Sequence, residues 1–247
     1  MNPHQQHCQQ ELEEYHLTPR KYHGQVFTTN PEVIDKLIET IKSIYKPGTK
    51  IVEIGGGLGY ITEKLVKHFK NVDVLEIDDE LLKVLKLKFK DFLKIKNCKL
   101  KILKQDILEY QPPNEDYLLV GNIPFHISGK LYRRFMSDLD HKPYGMVFIT
   151  DKQYAKTLMG QPPRCYRVSL QAQAYGHIEI VTDVPPTSVY PEVKVVSCIM
   201  KILENDVVLP KNFWDVVNGH WENFPTEEVE SPKTVGLPGW LELCGED

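Results

Sequence analysis

Two rhythms of apolar and polar positions run through the first 150 residues. Val33, Ile34, Leu37, Ile38, Ile41 and Ile44 recur at the spacing of one helix face, after an Asn30-Pro31-Glu32 start and before a Lys46-Pro47-Gly48 stop. Short apolar runs then alternate with helical stretches. Residues 50–54, 72–77, 99–103, 117–121 and 144–149 read as strands, and 60–68, 80–89 and 127–136 as the helices between them. This order predicts an α/β fold, a mostly parallel sheet with helices on both faces. Ligands of such sheets bind beyond the carboxyl ends of the strands. Residues 168–175 and 193–202 read as two late strands with no helix between them. Pro185, Pro186 and Pro191 lie in their connection, which predicts a C-terminal antiparallel hairpin. Phe213, Trp214, Val216, Val217 and Trp221 fit one amphipathic helix, and Pro225, Pro232 and Pro238 break up the rest of the chain.

Composition narrows the class. With 247 residues, 41% hydrophobic and 26% charged, the chain suits one sizeable core with a small appendage, and a disordered or fibrous protein is excluded. The pattern divides it into a polar arm (1–23), a main domain (24–203) and a short acidic, Pro-rich segment (204–247). A net charge of -4 argues on its own against a nucleic-acid partner. The charge is unevenly spread, however. Residues 206–247 carry nine acids against Lys211 and Lys233, so this segment is -7 and the remainder +3. No apolar run approaches the ~18 residues of a membrane helix, and residues 1–14 lack the apolar centre of a secretory signal. Cys8, Cys98, Cys165, Cys198 and Cys244 are scattered and form no CxxC pair. The expectation is reduced thiols, a cytoplasmic location and no metal.

The first strand runs into Gly55-Gly56-Gly57-Leu58-Gly59-Tyr60, which opens a helix. Glycines there let the backbone turn tightly and approach a ligand, with Gly55 and Gly57 nearest to it. The dinucleotide fingerprint would need a third glycine where Tyr60 stands. Glu76, ending the second strand, can accept hydrogen bonds from both hydroxyls of an adenosine ribose. Together these features favour S-adenosylmethionine over NAD, because the former carries no phosphate. Asp106, ending the third strand, reads either as a loop cap or as an acceptor for the adenine amine. Ile77 and Ile107 are placed to sandwich the adenine ring.

The fourth strand runs into Gly121-Asn122-Ile123-Pro124-Phe125. To methylate a base amine, its lone pair must be freed from the ring and aimed at the methyl. The Asn122 side-chain oxygen and the Ile123 or Pro124 carbonyl can each accept one N–H, which orients the amine and stabilises its developing positive charge. Phe125 offers a flat face for the base, and Pro124 fixes the loop.

These motifs, in this order, resemble the ribosomal RNA adenine N6-methyltransferase family, over roughly residues 20–203. That family includes ribosome-assembly dimethyladenosine transferases and erythromycin-resistance methyltransferases. Gly24-Gln25-Val26-Phe27, the glycine loop, Leu75-Glu76-Ile77-Asp78, Gln105-Asp106-Ile107-Leu108, Asn122-Ile123-Pro124-Phe125 and the stretch Pro191 to Ser197 carry the resemblance. It implies a Rossmann-like methyltransferase that transfers methyl groups from S-adenosylmethionine to N6 of an adenine in ribosomal RNA or a subunit precursor. It implies cofactor contacts from Gly55, Glu76, Asp106 and Asn122, with Gln25, Val26 and Thr28 beside the methionine part. Asn122, Pro124 and Phe125 would hold the adenine. Tyr154 matches a position where resistance-type members stack an aromatic on the flipped base; the alternative is an ordinary surface tyrosine on a helix. Val26 stands where the family usually has asparagine, Phe125 replaces a tyrosine, and Val193 a proline. The 44 residues after Leu203 do not match the family's compact C-terminal helical domain.

Nine lysines between Lys83 and Lys104 face one acid, Asp91. They read either as a solvated face or as a phosphate-contacting patch. Lys130, Arg133 and Arg134 are better placed to guide a nucleotide to the site, and Arg20, Lys21 and His23 are further candidates. The expected state is a monomer with neither metal nor membrane. Two other readings share these motifs: a non-catalytic assembly or transcription factor that keeps S-adenosylmethionine, and an N6-adenine methyltransferase acting on DNA. An acidic segment free of the core would be dispensable for cofactor binding, and its removal would raise non-specific RNA affinity.

Overall fold

The helical repeat of the sequence becomes α2 (Pro31–Ile44), capped by Asn30, whose side chain accepts the Glu32 N–H. The computed structural model describes residues 1–20, 22, 24–95, 99–112, 114–160, 164–223 and 236–244. The five expected strands are β2 (Lys50–Ile54), β3 (Asn71–Glu76), β4 (Lys99–Lys104), β5 (Tyr117–Asn122) and β6 (Gly145–Asp151). They pair in parallel in the order β4-β3-β2-β5-β6. Two antiparallel strands extend the sheet, β9 (Ser197–Glu204) beside β6 and β7 (Gly176–Val184) at the edge.

Because both faces of the sheet are covered at its centre, β2, β3, β5 and β6 are buried nearly throughout, whereas the edge strands β4 and β7 alternate buried and exposed positions. One face packs Val72, Val74, Leu118, Val120 and Val147 under α2, α3 (Tyr60–His68) and α4 (Asp79–Lys88). The other packs Val52, Leu75, Leu119 and Phe148 under α5 (Ser128–Arg133), α6 (Lys152–Leu158) and α7 (Arg167–Tyr175).

Several expectations are corrected. Residues 168–175 form the helix α7 rather than a strand, and the antiparallel pair is β7 with β9. The apolar-polar alternation there is real, but Leu, Gln and Ala are good helix formers. Ser169 also fixes the helix start: its Oγ accepts the Tyr166 N–H at 3.0 Å and donates to Thr157 O at 2.6 Å. Residues 127–136 do not form one helix. A 3-10 turn (Phe125–Ile127) leads into α5, and a π-helical segment (Arg134–Asp138) follows.

The presumed polar arm contains α1 (Pro3–Glu14), started by a capping box between Asn2 and Gln5. Its Cys8 and Leu12 are buried with Phe27, Leu58, Leu81 and Val84. The acidic segment likewise joins a core. In α8 (Phe213–Asn223) and α9 (Leu237–Cys244), Phe213, Val217, Leu237, Trp240 and Cys244 bury against Cys165, Leu170 and Ala174. The expectation that residues 206–247 are dispensable assumed the opposite. Pro238 does not break a helix but sits in the first turn of α9, where its missing N–H costs nothing. Pro225 and Pro232 lie outside the described residues. No described helix is long and apolar enough to cross a membrane.

Candidate active site

Strand register places the site. Ile54, ending β2, pairs with Leu75 on one side and Gly121 on the other, so three strands finish at one level. A cleft of about 430 Å³ opens above them. Its lining draws on residues 24–28, the glycine loop, 75–77, 105–108 and 122–127, joined by Val189, Val193 and Ser197. β1 (Phe27–Thr28) pairs with β8 (Val189–Tyr190), which draws the late segment to the cleft.

In the glycine loop, the N–H groups of Gly55 and Gly56 donate to Leu75 O at 2.8 and 3.3 Å. Gly57, at φ +56°, donates its N–H to Glu76 Oε2 at 2.9 Å. Glu76 Oε1 accepts the N–H groups of Ile77 and Asp78 at 2.8 and 2.9 Å. Burial pushes the Glu76 carboxyl above its ordinary range, and these three donors oppose the shift. The carboxylate is thus aimed by backbone bonds and retains lone pairs for a ligand. Ile77 and Ile107 both line the cleft, and Asp106 uses Oδ1 to accept the Leu108 N–H at 2.8 Å. That bond is the loop-cap reading, and it leaves Oδ2 for a second partner.

Gly121 brings the chain close to β2: at φ +147°, a Cβ there would lie 2.6 Å from Ile54 O. The next residue, Asn122, donates from Nδ2 to Val26 O at 2.8 Å. The amide is thereby fixed with Oδ1 as its remaining acceptor. Ile123 N–H is spent on Ile149 O at 2.9 Å, whereas Ile123 O accepts no bond from the described residues. Pro124 O already takes the Ile127 N–H at 3.1 Å. Between the two carbonyls that the sequence offers, Ile123 is therefore the free one. Phe125 stands at the mouth, 38% exposed.

The remaining site residues divide. Thr28 lines the cleft with its buried Oγ1 unpartnered among the described residues. Gln25 lines it too, but its side chain is committed: Oε1 accepts the Arg20 N–H, and Nε2 donates to Asp78 Oδ2. Arg20 also pairs with Asp78 at 2.8 Å. Tyr154 is not among the lining residues; it is half-buried, its ring stacked on Tyr132 with centroids 5.6 Å apart. Arg134 is tied down, donating to Tyr110 O at 2.7 Å, and Arg133 pairs with Asp138 at 3.5 Å. Lys130 is exposed. Of the lysine-rich stretch, Lys83, Lys88, Lys94 and Lys104 are in ion pairs. Lys21, His23, Lys96 and Cys98 lie outside the described residues.

Glu53 lies in the strand run that leads into the glycine loop but receives no role from the sequence, although a lone acid in the apolar run Ile51 to Ile54 is a signal. It lines the cleft, is 1% exposed, and accepts the Thr62 hydroxyl at 2.6 Å. Burial pushes its pKa up to about 8, against the Thr62 bond and with help from the Glu76 charge.

The lining holds three acids, Glu53, Glu76 and Asp106, of which Glu53 is kept protonated near neutrality by its burial, and neither lysine nor arginine. Such a cleft suits a cationic nucleoside-like ligand and disfavours a pyrophosphate. Among the described residues no group of three or more His, Cys, Asp or Glu is placed to hold a metal.

A family model described as ribosomal RNA adenine dimethylase matches residues 16–224. The "Ribosomal RNA small subunit methyltransferase A" of a Dehalococcoides mccartyi strain is 33% identical over 191 residues, 77% of this chain and 65% of that protein. The "rRNA adenine N-6-methyltransferase" of Streptococcus sanguinis is 28% identical over 78% of this chain and 74% of its own. Among solved structures, the 23S rRNA methyltransferase ErmE matches with a TM-score of 0.71 at 20% identity, over 88% of this chain and 98% of that one. A dimethyladenosine transferase from Plasmodium falciparum gives 0.65 at 24% identity, over 73% and 64%. Both structural likenesses speak for the Rossmann-like fold. This chain spans 65% of the length of the Dehalococcoides mccartyi relative. With the motifs gathered in one cleft and a family model over most of its length, the chain belongs to the ribosomal RNA adenine dimethylase family.

Proposed function

We propose that this protein transfers methyl groups from S-adenosylmethionine to N6 of an adenine in ribosomal RNA. The observation that carries the reading is the pair of acceptors Asn122 Oδ1 and Ile123 O at the mouth of a cleft whose inner end holds Glu76. The cofactor, when bound, supplies an electrophilic methyl on a positively charged sulfur. Glu76 would accept hydrogen bonds from its ribose, Asp106 Oδ2 from its adenine amine, and Ile77 and Ile107 would enclose that ring. Gly55 and Gly57 let the backbone approach it, while Val26 and Thr28 close the remaining wall.

The target adenine stacks on Phe125. Its two amine hydrogens would be accepted by Asn122 Oδ1 and Ile123 O, which would free the nitrogen lone pair and stabilise the charge developing on nitrogen; as the N–CH3 bond formed, the S–CH3 bond would break and S-adenosylhomocysteine would leave as a neutral thioether. Pro124 holds the turn that presents these groups. The methylated ammonium is acidic enough to lose its proton to water, so no strong base is required. Lys130 and Arg133 lie in α5, the helix after this turn, and can meet phosphates of the flipped nucleotide. Tyr154 serves in this reading as packing under α5 and not as a base platform.

The test is transfer of labelled methyl from S-adenosylmethionine to ribosomal subunits, naked ribosomal RNA and DNA, followed by mapping of the modified nucleotide. N6-methylated adenine in ribosomal RNA is the expected product. Cofactor binding without transfer to any of these, or a preference for DNA, would overturn the proposal.

A further inference from the structure

The helix α1 has almost no apolar stripe: Cys8 and Leu12 alone provide one in PHQQHCQQELEE. Its docking rests also on polar bonds, directed at the cleft-lining residues Tyr60 and Val189 and at Lys88 behind the glycine loop. Gln5, 2% exposed, donates to Val189 O at 2.9 Å. Glu11, 9% exposed, accepts the Tyr60 hydroxyl at 2.6 Å on Oε2 and Lys88 Nζ on Oε1. Lys88 in turn donates to Leu58 O at 2.6 Å and stands 5.2 Å over the Tyr60 ring. One carboxylate therefore grips the glycine loop on both sides of Gly59, directly at Tyr60 and through Lys88 at Leu58. Cys8 and Leu12 join Phe27, Leu58 and Leu81 in one apolar cluster. Phe27, Leu58, Tyr60, Leu81 and Val189 all line the cleft, whereas no residue of α1 does.

We infer that α1 is a positioning element for the cofactor cleft, with Glu11 as its positioning residue. The helix bridges two walls, the glycine loop and the β1–β8 pair, and in each wall the residues that α1 contacts themselves line the cleft. Docking of α1 fixes the shape of the loop before a ligand arrives. Linkage then requires the converse: a ligand that needs this shape holds α1 down more firmly. A carboxylate taken out of water is justified only by good partners, and here both partners belong to the loop side of the cleft. The inference rests on the reading that the cleft takes S-adenosylmethionine.

The experiment uses the full chain and S-adenosylhomocysteine as the probe. Hydrogen exchange by mass spectrometry should show slower exchange in residues 3–14 on saturation, although none of them touches the ligand. Tyr60→Phe and Glu11→Ala should each raise the Kd for the probe by about five- to tenfold. Glu11→Gln, which keeps an acceptor for the Tyr60 hydroxyl, should recover part of that loss. Exchange in β6 and β9 of the free variants should match the unmodified protein, which separates a local effect from general loosening. If the unmodified protein binds the probe with α1 exchange unchanged, and Tyr60→Phe binds it equally well, α1 is mere packing and the inference fails alone. No binding by the unmodified protein would overturn it together with the cofactor reading.

Discussion

The side-chain amide of Asn122 is held by a main-chain atom of another segment: Nδ2 lies 2.8 Å from Val26 O. Because the acceptor is backbone, the bond does not depend on which side chain occupies position 26. Valine at position 26, where the family resemblance implies asparagine, therefore does not release Asn122, whose Oδ1 stays aimed at the cleft. Asn122→Ala removes the acceptor, and Asn122→Asp removes the donor that orients it. Each should lower kcat for methyl transfer by about 10²- to 10³-fold, the scale of one preorganised contact to developing charge. Binding of S-adenosylhomocysteine, followed calorimetrically, should change far less. Val26→Ala keeps the Val26 O acceptor and trims only the cofactor wall, so it should weaken cofactor binding modestly and lower kcat far less than Asn122→Ala; a fall in kcat as large as that of Asn122→Ala would remove Val26 O from its assigned role.

Glu76 is expected to behave differently, because it serves both loop and ligand. Three backbone donors, on Gly57, Ile77 and Asp78, end on its carboxylate. Glu76→Ala strands those donors and should cost roughly 1–3 kcal/mol of stability. It should also abolish measurable cofactor binding. Glu76→Gln keeps one acceptor oxygen and should sit between, with a smaller fall in Tm than the alanine variant. A calorimetric titration beside a thermal melt checks both statements.

How far the sequence reveals these features depends on the force behind each one. Burial on both faces of β2, β3 and β5 leaves a strong apolar run, so those strands and the loops at their ends can be read directly. An antiparallel pair is legible too, but with the wrong strand, because Val168, Leu170, Ala172 and Ala174 alternate like a strand while lying in α7. The helix α1 has a readable start in Asn2, Pro3 and Gln5 but almost no apolar stripe: polar Gln5 and Glu11 dock it through bonds to Val189, Tyr60 and Lys88, which are distant in sequence. Arg134 and Tyr154 show the reverse case. Their chemistry suits RNA, yet the fold spends one on Tyr110 O and the other on Tyr132.

The buried acid Glu53 predicts a pH dependence of stability. Its folded pKa of about 8 lies above the ordinary glutamate value near 4.5. Below pH 4.5 the group is protonated in both states and imposes no penalty. Between 4.5 and 8 the unfolded chain releases the proton while the folded chain keeps it, so this group lowers stability as pH rises. Above 8 the penalty is constant, of order a few kcal/mol. Glu53→Gln still accepts the Thr62 hydroxyl but carries no charge at any pH. Its Tm should match that of the unmodified protein near pH 5 and exceed it at pH 8. Parallel melting curves would put the idea aside.

The C-terminal helices provide the last test, because charge and packing make opposite predictions for them. As a -7 appendage, residues 206–247 would be removable, with a gain in RNA affinity. As packed helices they are structural. Phe213 is fully buried with its ring 4.8 Å from that of Trp214, and it joins Leu170 and Ala174 of α7 in one cluster. Phe213→Ala should cost about 3–5 kcal/mol, the usual loss for emptying a large aromatic site. It should lower the denaturant midpoint while leaving the Kd for S-adenosylhomocysteine unchanged under native conditions, since no residue of α7, α8 or α9 lines the cleft. A chain ending at residue 205 would expose Leu170, Ala174 and Cys165, and should melt earlier and aggregate. A shortened protein with full thermal stability would mean that the two helices are an appendage after all, and the charge argument would then govern RNA binding.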